Sequence, residues 1–366
     1  MFRRIMYRLT SVMLVLCSIT CQSYGISTSA GSAIVIEQDS GRVIYEQNAD
    51  EERLIASITK IMTAVVAIEY GELETVYTVT KDDMAEGSSM YLQPGDQLTL
   101  EELLYGLLLV SGNDAALAVA HCVSKDIDRF VLLMNKTAQK LGMSSTSFAN
   151  PNGLDADGHY SSARDMARLA AYALNNPVFV RIASTESAVI GGRQMTNHNK
   201  LLSICEGCIG VKTGYTKAAG RTLVSAVRRN GMTLVCVTLK DSDDWADHIS
   251  LYEYAFSSLR MQTLAYAGEK LASVTVVNGT KRTVMLAAVD DISYPVFGNE
   301  HLTMKIEVPV SVAAPVMSGQ VVGTAYVCLE GQEVASIDLI AISSVPENTS
   351  PGGDNLLFKL FHKSEG

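Results

Sequence analysis

The sequence predicts an α+β fold: an antiparallel sheet with helices packed on its faces, followed by a small all-β domain. Three observations predict it. Strand-type segments lie at both ends of the region 32–260, with helical periodicity between them, an order that closes one sheet against helices. From about Ala267 to about Ser344 strand alternation recurs and no catalytic residue type clusters. The 366 residues, 48% of them hydrophobic and 19% charged, suffice for about two domains with real cores.

Residues 1–30 read as a secretory signal peptide. A short basic stretch, 2–8, precedes an apolar run, 9–20, and small residues at 23–25 and 28–30 suit a signal peptidase. The run is short for a membrane span, which needs roughly 20 residues; an uncleaved anchor is the alternative reading. Thr20 is a poor residue ahead of a lipidated Cys21.

The first domain is expected over 31–262. Segments 32–37 and 42–46 form a hairpin about Asp39-Ser40-Gly41. Helices follow at 58–70, stopped by Gly71, then at 100–109 and 115–123, and at 127–141, ended by Gly142. Asn150-Pro151-Asn152-Gly153 is a turn, and 163–174 is a further helix. Segments 223–227 and 233–237 flank Asn230-Gly231, a strong hairpin signal; 244–256 returns to helix. The second domain, 263–344, shows a hairpin about Asn278-Gly279 and alternating strands at 303–308 and 335–339. Residues 345–366 read as a linker and a tail with Leu356, Leu357, Leu360 and Phe361 on one helical face. That face is a candidate interfacial membrane anchor; docking on its own domain is the alternative.

Net charge is -10, and no basic patch stands out, which argues against a nucleic-acid partner. Cys205 and Cys208 form a Cys-x-x-Cys, but a zinc site needs a second pair and none is present, so no metal is expected. A disulfide between them is the open alternative outside the membrane, strained across so short a loop. The six histidines show no ligand spacing and read as structural.

Three motifs carry chemistry. Ser57-Ile58-Thr59-Lys60 opens the first long helix and puts both polar side chains on one face. Serine needs a base to become a nucleophile, and a desolvated lysine beside a second cation can be that base. Ser111-Gly112-Asn113 lies in a break between two apolar helices. Lys212-Thr213-Gly214 lies just before the strand hairpin; a lysine on an inner strand is costly unless paired or facing a cleft, and Gly214 would let a substrate backbone lie against the strand edge. Each motif alone is weak. Ser-x-x-Lys, Ser-x-Asn and Lys-Thr-Gly in this order form the penicillin-binding and β-lactamase signature.

The segments around Ala56–Ala64, Gly87–Leu92, Leu107–Ala116, Asn152–Leu154 and Gly210–Thr216 resemble low-molecular-mass penicillin-binding proteins, the serine D-alanyl-D-alanine carboxypeptidases of the S11 peptidases. The resemblance covers roughly 31–260, and more loosely the β domain to about 344. It implies a transpeptidase-like (β-lactamase-like) first domain and no cofactor. The implied substrate is a peptidoglycan stem peptide ending in D-Ala-D-Ala, with β-lactams as covalent inhibitors. It implies an exported protein, at the outer face of the cytoplasmic membrane or in the cell wall, often with a membrane-anchoring tail. Ser57 would attack, Lys60 would take its proton, and Ser111 would relay a proton to the leaving group. Asn113, Lys212, Thr213, Gly214 and Tyr215 would bind substrate, and the backbone N–H groups of Ser57 and Tyr215 would form the oxyanion hole.

One departure matters. Some relatives carry a carboxylate-binding arginine after the last sheet strand; residues 241–248 here contain none. Carboxylate binding would then rest more on Lys212 and Thr213, with Arg193 or Arg221 as further contributors. A class A β-lactamase reading lacks its Glu-x-x-Leu-Asn segment between Asn113 and Lys212. A transpeptidase and a non-catalytic wall-binding protein stay as alternatives.

Overall fold

A computed structural model describes residues 26–349. The expected signal peptide, to residue 25, and the expected amphipathic tail, from 350, lie outside the described residues.

Nine strands and eight helices make the first domain: β1 (Ser32–Glu37), β2 (Val43–Gln47), α1 (Lys60–Tyr70), β3 (Val76–Thr78), β4 (Gln97–Thr99), α2 (Leu100–Leu108), α3 (Asn113–Ser124), α4 (Ile127–Lys140), α5 (Ala163–Ala173), α6 (Pro177–Ala183), β5 (Ser187–Ile190), β6 (Arg193–Thr196), α7 (Leu201–Ile204), β7 (Cys208–Thr216), β8 (Gly220–Arg229), β9 (Met232–Leu239) and α8 (Asp244–Ser258). The main sheet has five strands in the order β2-β1-β9-β8-β7, all antiparallel. The N-terminal hairpin therefore pairs with the last sheet strand, so chain ends that are far apart in sequence complete one sheet.

Strand β9 is buried along its whole length. Its side chains alternate between two cores. Val235 and Val237 join the core under the helical layer of α1, α2, α3 and α5, while Leu234 and Cys236 join the core under α8. Helix caps set the boundaries. Thr99 forms a capping box with Glu102 at the start of α2, and Ser162 accepts from the Asp165 N–H at the start of α5.

The second domain holds β10 (Leu259–Ala265), β11 (Lys270–Val277), β12 (Thr283–Ala288), β13 (Ile292–Phe297), β14 (Leu302–Glu307), β15 (Ser311–Ala313), β16 (Val321–Leu329) and β17 (Gln332–Ala341). A six-stranded sheet, β14-β16-β17-β12-β11-β15, and the pair β10-β13 enclose one apolar core. Val345, in the expected linker, is fully buried and exchanges backbone bonds with Val316, so the chain stays on this domain past Ser344. Arg42, in the β1–β2 turn, lies over Phe297 at 4.7 Å and pairs with Glu300 at 2.7 Å, fixing one domain to the other. Among the described residues no helix is long and apolar enough to cross a membrane.

Candidate active site

Ser57 stands in a 3-10 turn, Ala56–Thr59, that runs directly into α1. Ala56 holds φ at 49°, the left-handed region that costs a non-glycine residue about 1–2 kcal/mol. Two bonds hold the turn in this shape. Thr59 Oγ1 donates to Ala56 O at 2.8 Å, and Thr222 Oγ1 of β8 donates to Ile55 O at 3.0 Å.

Lys60, the first residue of α1, is fully buried. Its Nζ lies 3.0 Å from Ser57 Oγ, 2.8 Å from Asn113 Oδ1 and 2.6 Å from Asn152 O. The amide and carbonyl oxygens only accept, so a neutral amine gives them its two hydrogens and turns its lone pair to the Ser57 hydroxyl. Burial, then repulsion from Lys212, hold Lys60 well below the ordinary lysine range, against the opposing pull of Asp114.

Ser111 breaks the chain between α2 and α3 at φ 61°; it is 4% exposed, and its hydroxyl has no partner. Asn113 is occupied at both ends of its amide: Oδ1 accepts from Lys60, and Nδ2 donates to Glu86 O at 2.6 Å. The next residue, Asp114, accepts from Ser89 Oγ at 2.6 Å and from the Met90 and Leu92 N–H groups at 3.0 Å. That carboxylate shapes the 86–92 loop into one wall of the cleft.

Strand β7 supplies the opposite wall and is an edge strand, so one side of its ladder is free to pair with an extended peptide. Gly214 is there because a Cβ would press on the Ser57 N–H at 2.9 Å and on the Thr222 hydroxyl. Lys212 is 1% exposed, and burial pushes it down to about 7.

Between these walls lies a cleft of about 800 Å³ whose lining includes Ser57, Ser111, Thr213, Gly214 and Tyr215. Lys60 and Asn113 sit directly behind it, so the fold brings the three motifs together. The two candidate arginines separate. Arg193 donates to Tyr91 O at 3.2 Å and pairs with Asp96 at 2.5 Å, away from the cleft lining. Arg221, opposite Tyr215 on β8, lines the cleft. Its guanidinium pairs with Asp244 at 2.6 Å and lies 5.4 Å from the Trp245 ring, and its Nε is buried without a partner.

Several residues of the site escaped sequence reasoning. Asn152 contributes a backbone carbonyl, which no residue type signals. Asn199 lines the cleft, is 2% exposed and keeps an unpartnered Nδ2. His198, read as structural, also lines it, and burial followed by Lys212 lowers its pKa. Trp245, the one tryptophan of the chain, was the available signal for that wall. Cys205 and Cys208 are free thiols, and among the described residues no His/Cys/Asp/Glu group has metal-holding geometry.

The D-alanyl-D-alanine carboxypeptidase model of the S11 peptidases matches residues 19–243. The chain belongs to this family. Its members are serine hydrolases, and the C-terminal domain model of penicillin-binding protein 5 matches residues 260–347 of the same chain. A D-alanyl-D-alanine carboxypeptidase of Bacillus subtilis is 32% identical, with 86% of each chain covered. One of Escherichia coli is 33% identical over 88% of this chain and 85% of its own. The crystal structure of penicillin-binding protein 5 from Haemophilus influenzae matches with a TM-score of 0.75 at 28% identity, covering 88% of this chain and 99% of that one.

Proposed function

We propose that this S11 family member removes the terminal D-alanine from peptidoglycan stem pentapeptides through an acyl-enzyme on Ser57, and that β-lactams acylate the same serine. The observation that carries this reading is the hydrogen-bond geometry of Lys60: two acceptors take its hydrogens and leave its lone pair on Ser57 Oγ.

The stem peptide lies along the free edge of β7. Ser57 Oγ attacks the carbonyl between the two D-alanines while Lys60 takes its proton. The Ser57 and Tyr215 N–H groups receive the oxyanion. Ser111 carries the proton to the departing amine, and the Lys212 ammonium lowers the cost of that transfer. Thr213 and Arg221 receive the terminal carboxylate, the guanidinium oriented by Asp244 and Trp245. Asn113 acts on Lys60 and, through Glu86 O, on the cleft wall. Water then releases the shortened peptide. The Glu-x-x-Leu-Asn segment of class A β-lactamases does not occur between Asn113 and Lys212, so a β-lactam adduct is long-lived. Such a substrate places the enzyme outside the cytoplasmic membrane.

The test is release of D-alanine from a pentapeptide ending in D-Ala-D-Ala, with wild type and Ser57→Ala side by side. Release by wild type alone supports the reading. Equal release by both, or none by wild type, overturns it.

A further inference from the structure

Lys60 can act on Ser57 only while its hydrogens are held elsewhere, and one acceptor, Asn152 O, is a carbonyl in the irregular stretch 149–161. Three ties keep that stretch on the nucleophile turn and α1. Thr63 Oγ1 donates to Pro151 O at 2.6 Å. Gly153, at φ 82°, lies so close to the Ala56 carbonyl that no Cβ fits. The third tie is His159, 2% exposed and packed edge-on to Phe148 at a centroid distance of 6.0 Å.

His159 joins the stretch to the turn. The Ala149 N–H donates to Nδ1 at 3.0 Å, and Nε2 lies 2.8 Å from Thr59 Oγ1. Thr59 Oγ1 already donates to Ala56 O, so it accepts from Nε2–H. One neutral tautomer satisfies both contacts. Burial favours that neutral form, and Asp155 is the charged group acting on it in the opposite sense. Asp155 in turn accepts from Thr216 Oγ1 of β7 at 2.9 Å.

We infer that His159 is a positioning residue for the Ser57–Lys60 pair: by joining Ala149 to Thr59, one residue before Lys60, it closes the 149–159 loop and holds Asn152 O against the lysine. This rests on the proposed role of Lys60 as base. The groups that bias Lys60 itself are Lys212 and Asp114. A protonated His159 would set a second N–H against the Ala149 N–H and open the tie.

The test is the acylation rate with a chromogenic cephalosporin, followed against pH, for wild type, His159→Leu, His159→Gln and Thr59→Val. His159→Leu and Thr59→Val acylate about 10-fold or more slowly. The pH limb on which the rate rises moves upward in both, because a lysine freed from Asn152 O regains water and basicity. His159→Gln, which offers an acceptor and a donor, recovers part of the rate and the wild-type limb. Folded variants with an unmoved limb, even at a lower melting temperature, overturn the inference by showing a merely structural tie. A wild type that no β-lactam acylates overturns the proposed function, and this inference with it.

Discussion

Two polar regions touch the five-stranded sheet, and they are built on opposite rules. Between the sheet and α8, His248 Nδ1 lies 2.6 Å from Ser225 Oγ, Ser225 Oγ lies 2.7 Å from Tyr252 OH, and His248 Nε2 lies 3.0 Å from Thr238 Oγ1. All four residues are fully buried, and each of these polar atoms has its partner. In the cleft, Ser111 Oγ, Asn199 Nδ2 and Arg221 Nε are buried without partners. Two lysines are buried behind it, and Ala56 and Ser111 hold left-handed φ values. An unsatisfied buried polar group costs about 1–3 kcal/mol. The closed network spends its hydrogen bonds on holding α8. The open one leaves donors for something that arrives from outside. A serine–histidine pair alone would suggest hydrolase chemistry in the wrong place; access and satisfaction tell the two regions apart.

The comparison breaks first on the bases. Lys60→Ala should lower β-lactam acylation by about 10²–10⁴-fold, whereas His248→Gln should leave the acylation rate near wild type and lower the melting temperature. A large acylation loss in His248→Gln would erase the distinction.

Next comes Arg221. Arg221→Ala should cost about 10–100-fold in kcat/KM on a peptide with a free terminal carboxylate, the loss expected from charge-assisted hydrogen bonds. The same variant should be near wild type on the corresponding C-terminal amide. Equal losses on both substrates would remove Arg221 from carboxylate recognition.

Lys212 sharpens the same contrast through stability. Its folded pKa of about 7 lies below the ordinary 10.5. The folded state therefore disfavours the ammonium, a penalty present in full below pH 7 and relieved as pH rises toward 10.5. Lys212→Met should melt a few degrees higher near pH 6, about what 1 kcal/mol delivers, with activity lost. The difference in melting temperature should shrink as pH rises.

A further effect, on stability, comes from the buried neutral histidines. Burial lowers His248 to about 3 and His159 to about 4, from 6.5. Their contribution is complete above pH 6.5 and is lost as pH falls toward those values. Thermal melts should therefore show stability falling between pH 6.5 and 4, with a shallower fall in His159→Gln.

Much of this was legible in the sequence, and the limits have physical causes. The hairpins about Asp39-Ser40-Gly41, Asn230-Gly231 and Asn278-Gly279 were readable because turn chemistry is local. Strand β7 was read only in part: Lys212 was placed on an inner strand and Gly214 at a strand edge, and β7 is an edge strand of the sheet. Gly210 and Gly214 break its alternation, and Gly214 is required by its contact with the Ser57 turn. The β5–β6 hairpin and α6 are short and held by tertiary contacts. Ser57, Lys60, Ser111 and Lys212 were singled out because their residue types and motif order carry the proposed chemistry. The Asn152 carbonyl, the Asn199 amide and the Arg221–Asp244–Trp245 wall depend on which loops meet at the cleft, and no local pattern encodes that. Asn113 was read as a substrate contact; its contacts with Lys60 and Glu86 O, which no local pattern encodes, were not read.

The central claim is that Ser57, opened to the cleft and served by Lys60, is the nucleophile, while the serine beside a histidine is not. Intact-mass and peptide-mapping analysis after incubation with penicillin tests it most directly. The expected result is one adduct per chain, on the peptide containing Ser57, absent in Ser57→Ala and retained in Ser225→Ala. An adduct that survives Ser57→Ala, or maps to any other serine, would contradict it.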